Sequence, residues 1–246
     1  MSRVEMTERI AEESPRVKAR KAGGLWLMVI AAGMTAFVIR SPLIVRGDAA
    51  ATATNILASE SLDRLAFIAD LVAGVCYLGV TVLLYDLLKP VSRSLSMLAA
   101  FFGLAGVAIG SATSLTNLAT LVLLGGEQYS SAFTTSQLQA LAMMSLRLSF
   151  QGFNIAMVFF GFQCLLIGCL IVRSTFLPRI LGVLLAIGGS SYVISSFATF
   201  LAPVFGARLA PFIVPAALLG EGSLTLWLIV KGVNEQRWKE QANAAG

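Results

Sequence analysis

The sequence predicts an all-α membrane protein, a polytopic bundle of six transmembrane helices with both termini in the cytoplasm. Three observations predict it. Apolar runs of about 18 residues or more recur, each able to cross a hydrocarbon core of ~30 Å at ~1.5 Å per residue. Of the 246 residues, 57% are hydrophobic and 13% charged, against roughly 25% charged in a soluble domain. Lysine and arginine concentrate on alternate connections, the asymmetry that orients membrane helices.

Residues 1–21 read as a charged cytoplasmic tail. Ser2 and Glu5 have capping-box spacing, and Glu5/Arg9 and Glu12/Arg16 are i,i+4 pairs, so a short surface helix is expected up to Pro15. Arg16, Lys18, Arg20 and Lys21 then abut the apolar run Ala22–Ile39. That run is long for the core of a signal peptide. Arg40 and Pro42 follow it rather than a small-residue cleavage region, so it reads as an uncleaved first span.

Five further spans are expected at Leu65–Leu88, Leu95–Leu124, Leu148–Val172, Ile180–Ala202 and Pro211–Val230. Residues 22–234 thus form the transmembrane domain, and 235–246 a short cytoplasmic tail. Connections 89–94, 173–179 and 203–210 are short and imply antiparallel hairpins, whereas loops 40–64 and 125–147 are longer. In the first long loop, Gly47-Asp48 precedes an Ala/Thr-rich stretch to Glu60, which predicts a capped helix at the interface. The N-tail, loops 89–94 and 173–179 and the C-terminal residues from Lys231 on hold 13 Lys and Arg; the opposite connections hold 5. The poorer set spans slightly more residues, so the bias places both termini inside, in the cell membrane.

The net charge of +5 does not point to nucleic acid, because the basic residues flank apolar segments. Histidine is absent, removing the commonest general base and nitrogen ligand for metals. Cys76, Cys164 and Cys169 lie in apolar segments with no CxxC spacing and read as buried small hydrophobes. There is no Walker loop, dinucleotide fingerprint or HExxH motif, and no cofactor is implied. The lysines sit at termini and loop edges, away from the acids, which argues against an enzyme.

The informative residues are those that are costly in a membrane. Glu221 falls near the middle of the sixth span, between Gly220 and Gly222 and beyond Pro215. An acid at that depth costs about 3 kcal/mol, so it must face the interior, pair or be protonated. The glycines loosen the helix or admit a neighbouring backbone, and the proline favours a kink. Glu221 is therefore either a proton or substrate site or a structural hydrogen-bonding group. Asp70 lies roughly 8 Å into the second span, and Asn117 and Asn154 roughly 10 Å into the third and fourth. Asp70, Gly74, Tyr77, Thr81 and Tyr85 share one helix face; Ser191, Ser195 and Thr199 enrich the fifth span, and Thr113, Ser114 and Thr116 the third. This inventory fits an outward-facing hydrated cavity, or ordinary inter-helix hydrogen bonding. Gln163 is expected to make one inter-helix hydrogen bond, Gly106, Gly110 and Ser114 to form a close-packing stripe, and Trp227 and Trp238 to anchor at an interface.

A resemblance emerges from these residues together. Gly47-Asp48-Ala49-Ala50 with Asn55-Ile56, Arg64 and Asp70, and Leu88-Lys89-Pro90-Val91 carry it in the first half. Gly152-Phe153-Asn154-Ile155, Phe160-Gly161-Phe162, the run Arg173 to Gly182, Gly220-Glu221, Leu226-Trp227-Leu228 and Lys231 to Asn234 carry it in the second. From Leu25 to Asn234 the chain resembles the bacterial multi-spanning membrane proteins grouped as domain of unknown function 4386. The resemblance implies a compact multi-helix membrane fold and brings no activity; relatives often carry histidine where Gln163 stands. The expected function is small-solute transport or ligand binding around Asp70, Glu221, Asn117 and Asn154. Its rival is a non-catalytic structural or accessory subunit, and a lipid-acting enzyme ranks third. The expected partners are the lipid bilayer and a homo-oligomeric or other membrane partner.

Overall fold

The structure, a computed structural model, describes residues 13–126 and 132–244. Among them are nine α-helices, one π-helical turn and no strand. Helix α1 is Pro15–Arg40, α2 Ala49–Ala58, α3 Glu60–Leu88, α4 Arg93–Gly125 and α5 Thr135–Arg173. Then come α6 Arg179–Leu201, α7 Pro203–Ala217, a π turn Leu218–Gly222, α8 Ser223–Val230 and α9 Glu235–Ala244. Six helical stretches among the described residues are long and apolar enough to cross a bilayer: α1, α3, α4, α5, α6 and Pro211–Val230. The chain is a multi-pass membrane protein. The surface helix expected before Pro15 lies largely outside the described residues.

Two expected connections are helical in whole or in part. Helix α5 begins at Thr135, 13 residues before the expected fourth span. Residues 137–147 are Gln, Leu, Ala, Met, Ser and Arg, mostly strong helix formers, and Gln137 accepts the Thr134 N–H at 2.8 Å to secure the first turn. Residues 203–210, expected as a loop, are the first turns of α7. Pro203 sits at its N-terminus, where its missing N–H has no helical partner to lose. Gly206 lets this tight corner close, since a Cβ there would lie 2.8 Å from the Thr199 backbone. The predicted α2 is present: Asp48 caps it by accepting the Ala51 N–H at 2.8 Å, preceded by Gly47 at φ +82°.

The chain divides into two compact units. One comprises residues 28–78 and 104–159. Its apolar cluster joins Leu43, Ile56 of α2 and Leu121 of α4, flanked by Leu118, Leu124 and Leu146. Gly110 of α4 faces α5: a Cβ on it would lie 3.9 Å from the Ala156 methyl, an ordinary packing distance.

The other unit comprises residues 1–27, 79–103 and 160–246. Here α5 and α6 form an antiparallel pair held by two reciprocal glycine contacts. Gly161 faces the Gly189 backbone, and Gly168 faces that of Gly182, each at 2.5–2.8 Å from where a Cβ would stand. Seven residues separate the glycines on each helix, two helical turns, so both lie on one face. Without a hydrophobic drive between helices in lipid, such backbone approach is what van der Waals packing requires. Gly103 similarly makes room for the Gln163 carboxamide, which donates to Thr81 Oγ1 at 3.3 Å. Trp238 of α9 donates its indole N–H to the Leu87 carbonyl at 2.8 Å, satisfying an acceptor in the last turn of α3.

Candidate functional site

Glu221 lies on the π turn, and the local sequence explains why the helix departs from α geometry there. Pro215 cannot donate to the ladder, and its ring crowds the preceding turn. The disturbed turns resolve at Leu218–Gly222 into i→i+5 bonding. Beyond it, the Gly220 carbonyl accepts both the Ser223 N–H and, at 3.0 Å, the Ser223 hydroxyl. The two glycines beside Glu221 differ. A Cβ on Gly220 would lie 2.8 Å from the Leu184 carbonyl and 3.1 Å from Leu185 Cα, so Gly220 seats the turn against α6. Gly222 has nothing within 4 Å.

The carboxylate is held by two neutral donors from other helices. Tyr192 of α6 donates its hydroxyl to Oε1 at 2.8 Å, and Trp26 of α1 donates its indole N–H to Oε2 at 3.1 Å. The Cys164 thiol of α5 lies 4.0 Å from Oε1. Trp26 and Cys164 are fully buried and Tyr192 nearly so. Glu221 forms no ion pair among the described residues. One α-helical turn on, Thr225 is buried with its hydroxyl unpartnered among the described residues.

Asp70 belongs to a different arrangement. Arg40, the last residue of α1, donates Nη1 to Asp70 and Nε to Asp63 at 3.2 Å, so one guanidinium serves two carboxylates of α3. Asp63 is 9% exposed and Asp70 27%, and the remaining nitrogen, Nη2, is buried without a hydrogen-bond partner among the described residues. Asn154 is buried and donates to its own helix, to the Phe150 carbonyl at 2.8 Å. Asn117 is half-buried on α4. Gln163 makes the inter-helix bond its position predicts.

Sequence reasoning singled out Asp70 and Glu221 but not the groups that hold them: Arg40, Asp63, Trp26, Tyr192 and Cys164. Arg40 was readable only as a flanking charge, and the aromatic donors lie 195 and 29 residues from Glu221. A groove of about 630 Å³ is formed by α5 and α6, and none of Asp70, Asn117, Asn154 or Glu221 lines it. Among the described residues no group of three or more His, Cys, Asp or Glu is placed to hold a metal ion.

Comparison with known families agrees with the motif pattern. The family described as "Domain of unknown function (DUF4386)" matches residues 21–232. The chain belongs to this family. A relative from Archaeoglobus fulgidus, titled "Uncharacterized protein", is 27% identical over 153 residues, covering 62% of this chain and 75% of its own. No solved structure matches the chain. Asp70, Asn117, Asn154 and Glu221 all fall inside the matched region.

Proposed function

We propose that this family member is a small-solute transporter or ligand-binding membrane protein in which Glu221 exchanges a proton or meets a cationic solute. One observation carries the reading: a carboxyl group within a span, on a π turn below a proline, held by an indole and a phenol and by no cation among the described residues. Ionisable groups in spans and interrupted helices mark ion and substrate paths, and single π turns recur at functional sites. Asp70, Asn117 and Asn154 are further candidate polar groups, carried by the other compact unit.

The hydrogen-bond inventory supports a proton-exchanging role. An ionised Glu221 accepts from both Trp26 and Tyr192. A protonated one can still accept the Trp26 N–H through one oxygen, while its own O–H donates to the Tyr192 oxygen, because a phenol both donates and accepts. Both states therefore fit the same three side chains. The test is reconstitution in proteoliposomes with an internal pH dye and imposed pH gradients, alongside thermal-shift screening against a metabolite panel. Glu221→Gln, an analogue of the protonated acid, should fold but abolish proton-linked flux or ligand-induced stabilisation. A stable Gln variant with undiminished activity would remove Glu221 from the site.

The second reading, a non-catalytic structural or accessory subunit, is favoured by a specific observation: each acid already has internal partners. It expects Glu221→Gln to change neither flux nor ligand response. For orientation, we propose cytoplasmic termini from the lysine and arginine bias. Reporter fusions after Ser94 and Val233 should score inside and one after Gly125 outside; an outside score at Val233 defeats this topology.

A further inference from the structure

The groove between α5 and α6 is built by the same glycine contacts that join the two helices. Where Gly168 and Gly182 bring the backbones together, small neighbours, among them Ala186 and Ser190, leave a trough of about 630 Å³ open on one side. Its walls include Ile187 and Ile194, more than half exposed. The serines in its lining do not offer free donors. Ser190 donates to the Ala186 carbonyl at 2.8 Å and Ser191 to the Gly188 carbonyl at 2.7 Å, both within α6. To an occupant the trough is therefore apolar.

Its length and one end are informative. Along α6 the lining runs from Gly182 to Ile194, roughly 18 Å by rise per residue, close to the ~15 Å depth of one leaflet's hydrocarbon. At one end Arg173, the last residue of α5, lines the trough and is exposed to its surroundings. Arg179, in the first turn of α6, stands four residues before Val183 of the lining and so shares its helix face. Neither arginine forms an ion pair among the described residues.

We propose that this groove holds an acyl chain of an anionic phospholipid, with its phosphate bound by Arg173 and Arg179. Guanidinium groups match phosphate oxygens in bidentate geometry, and basic sites beside transmembrane helices select anionic headgroups. The apolar trough distinguishes a lipid from free phosphate, and the two arginines, without an ion pair among the described residues, distinguish an anionic lipid from a zwitterionic one. A second copy of the chain seated here would need to bring acids to both arginines.

The test uses the full-length protein, delipidated in detergent and incubated with an equimolar mixture of dioleoyl phosphatidylglycerol and dioleoyl phosphatidylcholine. Native mass spectrometry then reads the bound lipid and the oligomeric state. The wild type should retain phosphatidylglycerol in preference. Arg173→Gln with Arg179→Gln should weaken that retention roughly thirtyfold, while the corresponding double Lys variant keeps the preference. Ser190→Leu, which fills the trough and leaves both arginines in place, should also reduce retention. Equal retention of the two lipids by the wild type overturns the proposal. So does unchanged phosphatidylglycerol retention in the double Gln variant, or a lipid-free dimer that Ser190→Leu dissociates.

Discussion

Arg40 stands between two carboxylates of α3, whereas among the described residues the Glu221 carboxyl meets an indole N–H, a phenol and, at the edge of contact, a thiol. Both arrangements satisfy charge where water is scarce, but they do so differently. In the first, one cation is shared by two anions, so removing it leaves both carboxylates uncompensated. In the second, the groups around the acid are neutral, and proton gain or loss by Glu221 alone changes the local charge. A carboxyl held by a phenol and an indole can keep both hydrogen bonds whether or not it carries a proton, because the phenol both donates and accepts. The contrast is between charge pairing and hydrogen bonding to neutral groups.

The largest expected effect breaks the first arrangement. Arg40→Met should lower stability by about 3 kcal/mol, the scale on which an uncompensated buried charge is penalised. Adding Asp63→Asn and Asp70→Asn should restore much of the loss, because no carboxylate then lacks a cation. Thermal melting in detergent reads both variants. An Arg40→Met protein that melts like wild type would show that solvent or lipid headgroups already neutralise Asp63 and Asp70.

The next tests how the Glu221 turn is seated. Gly220→Ala places a methyl 2.8 Å from the Leu184 carbonyl, a backbone atom that cannot swing away, and should cost about 1–3 kcal/mol. Gly222→Ala meets nothing within 4 Å and has helical φ of −64° and ψ of −42°. It should be neutral or stabilise by up to about 1 kcal/mol through helix propensity. Equal melting temperatures for the two variants would contradict the close approach at Gly220.

The spans were legible because apolar length in a bilayer is nearly a sufficient condition for a helix. Their ends were less so. An apolar run marks where hydrocarbon begins, whereas α5 continues to Thr135 on helix propensity and α7 starts at Pro203 on backbone geometry. The costly residues Asp70 and Glu221 were visible one at a time, since intramembrane acids are rare. Their partners were not, because nothing local in the sequence aligns Trp26 or Tyr192 with Glu221, or α1's last residue with Asp63 and Asp70. The heptad spacing of Gly161 with Gly168 and of Gly182 with Gly189 was a readable signal for the α5–α6 seam.

Glu221→Gln sharpens the comparison at a smaller energetic scale. The amide oxygen can accept the Trp26 N–H while its NH2 donates to the Tyr192 oxygen, so the change in stability should stay within about 1 kcal/mol. That is well below the loss expected for Arg40→Met. A collapse of the Gln variant in the same melting assay would mean that the charge itself holds the fold. The two arrangements would then be alike in kind.

The smallest expected effect concerns Thr225, four residues beyond Glu221 and 1% exposed. Its hydroxyl is buried without a hydrogen-bond partner among the described residues, which costs about 1–3 kcal/mol relative to a satisfied group. Valine has nearly the same shape and no polar atom to desolvate. Thr225→Val should therefore leave stability unchanged or raise it by about 1 kcal/mol. Melting of Thr225→Val and of its combination with Glu221→Gln tests the site as a unit. If Thr225 stands apart from the carboxyl, the two changes add within about 0.5 kcal/mol. Clear non-additivity would draw Thr225 into the hydrogen bonding of Glu221. A marked destabilisation by Val alone would show that the hydroxyl has a partner in the membrane, and the Glu221 region would then extend at least one turn along α8.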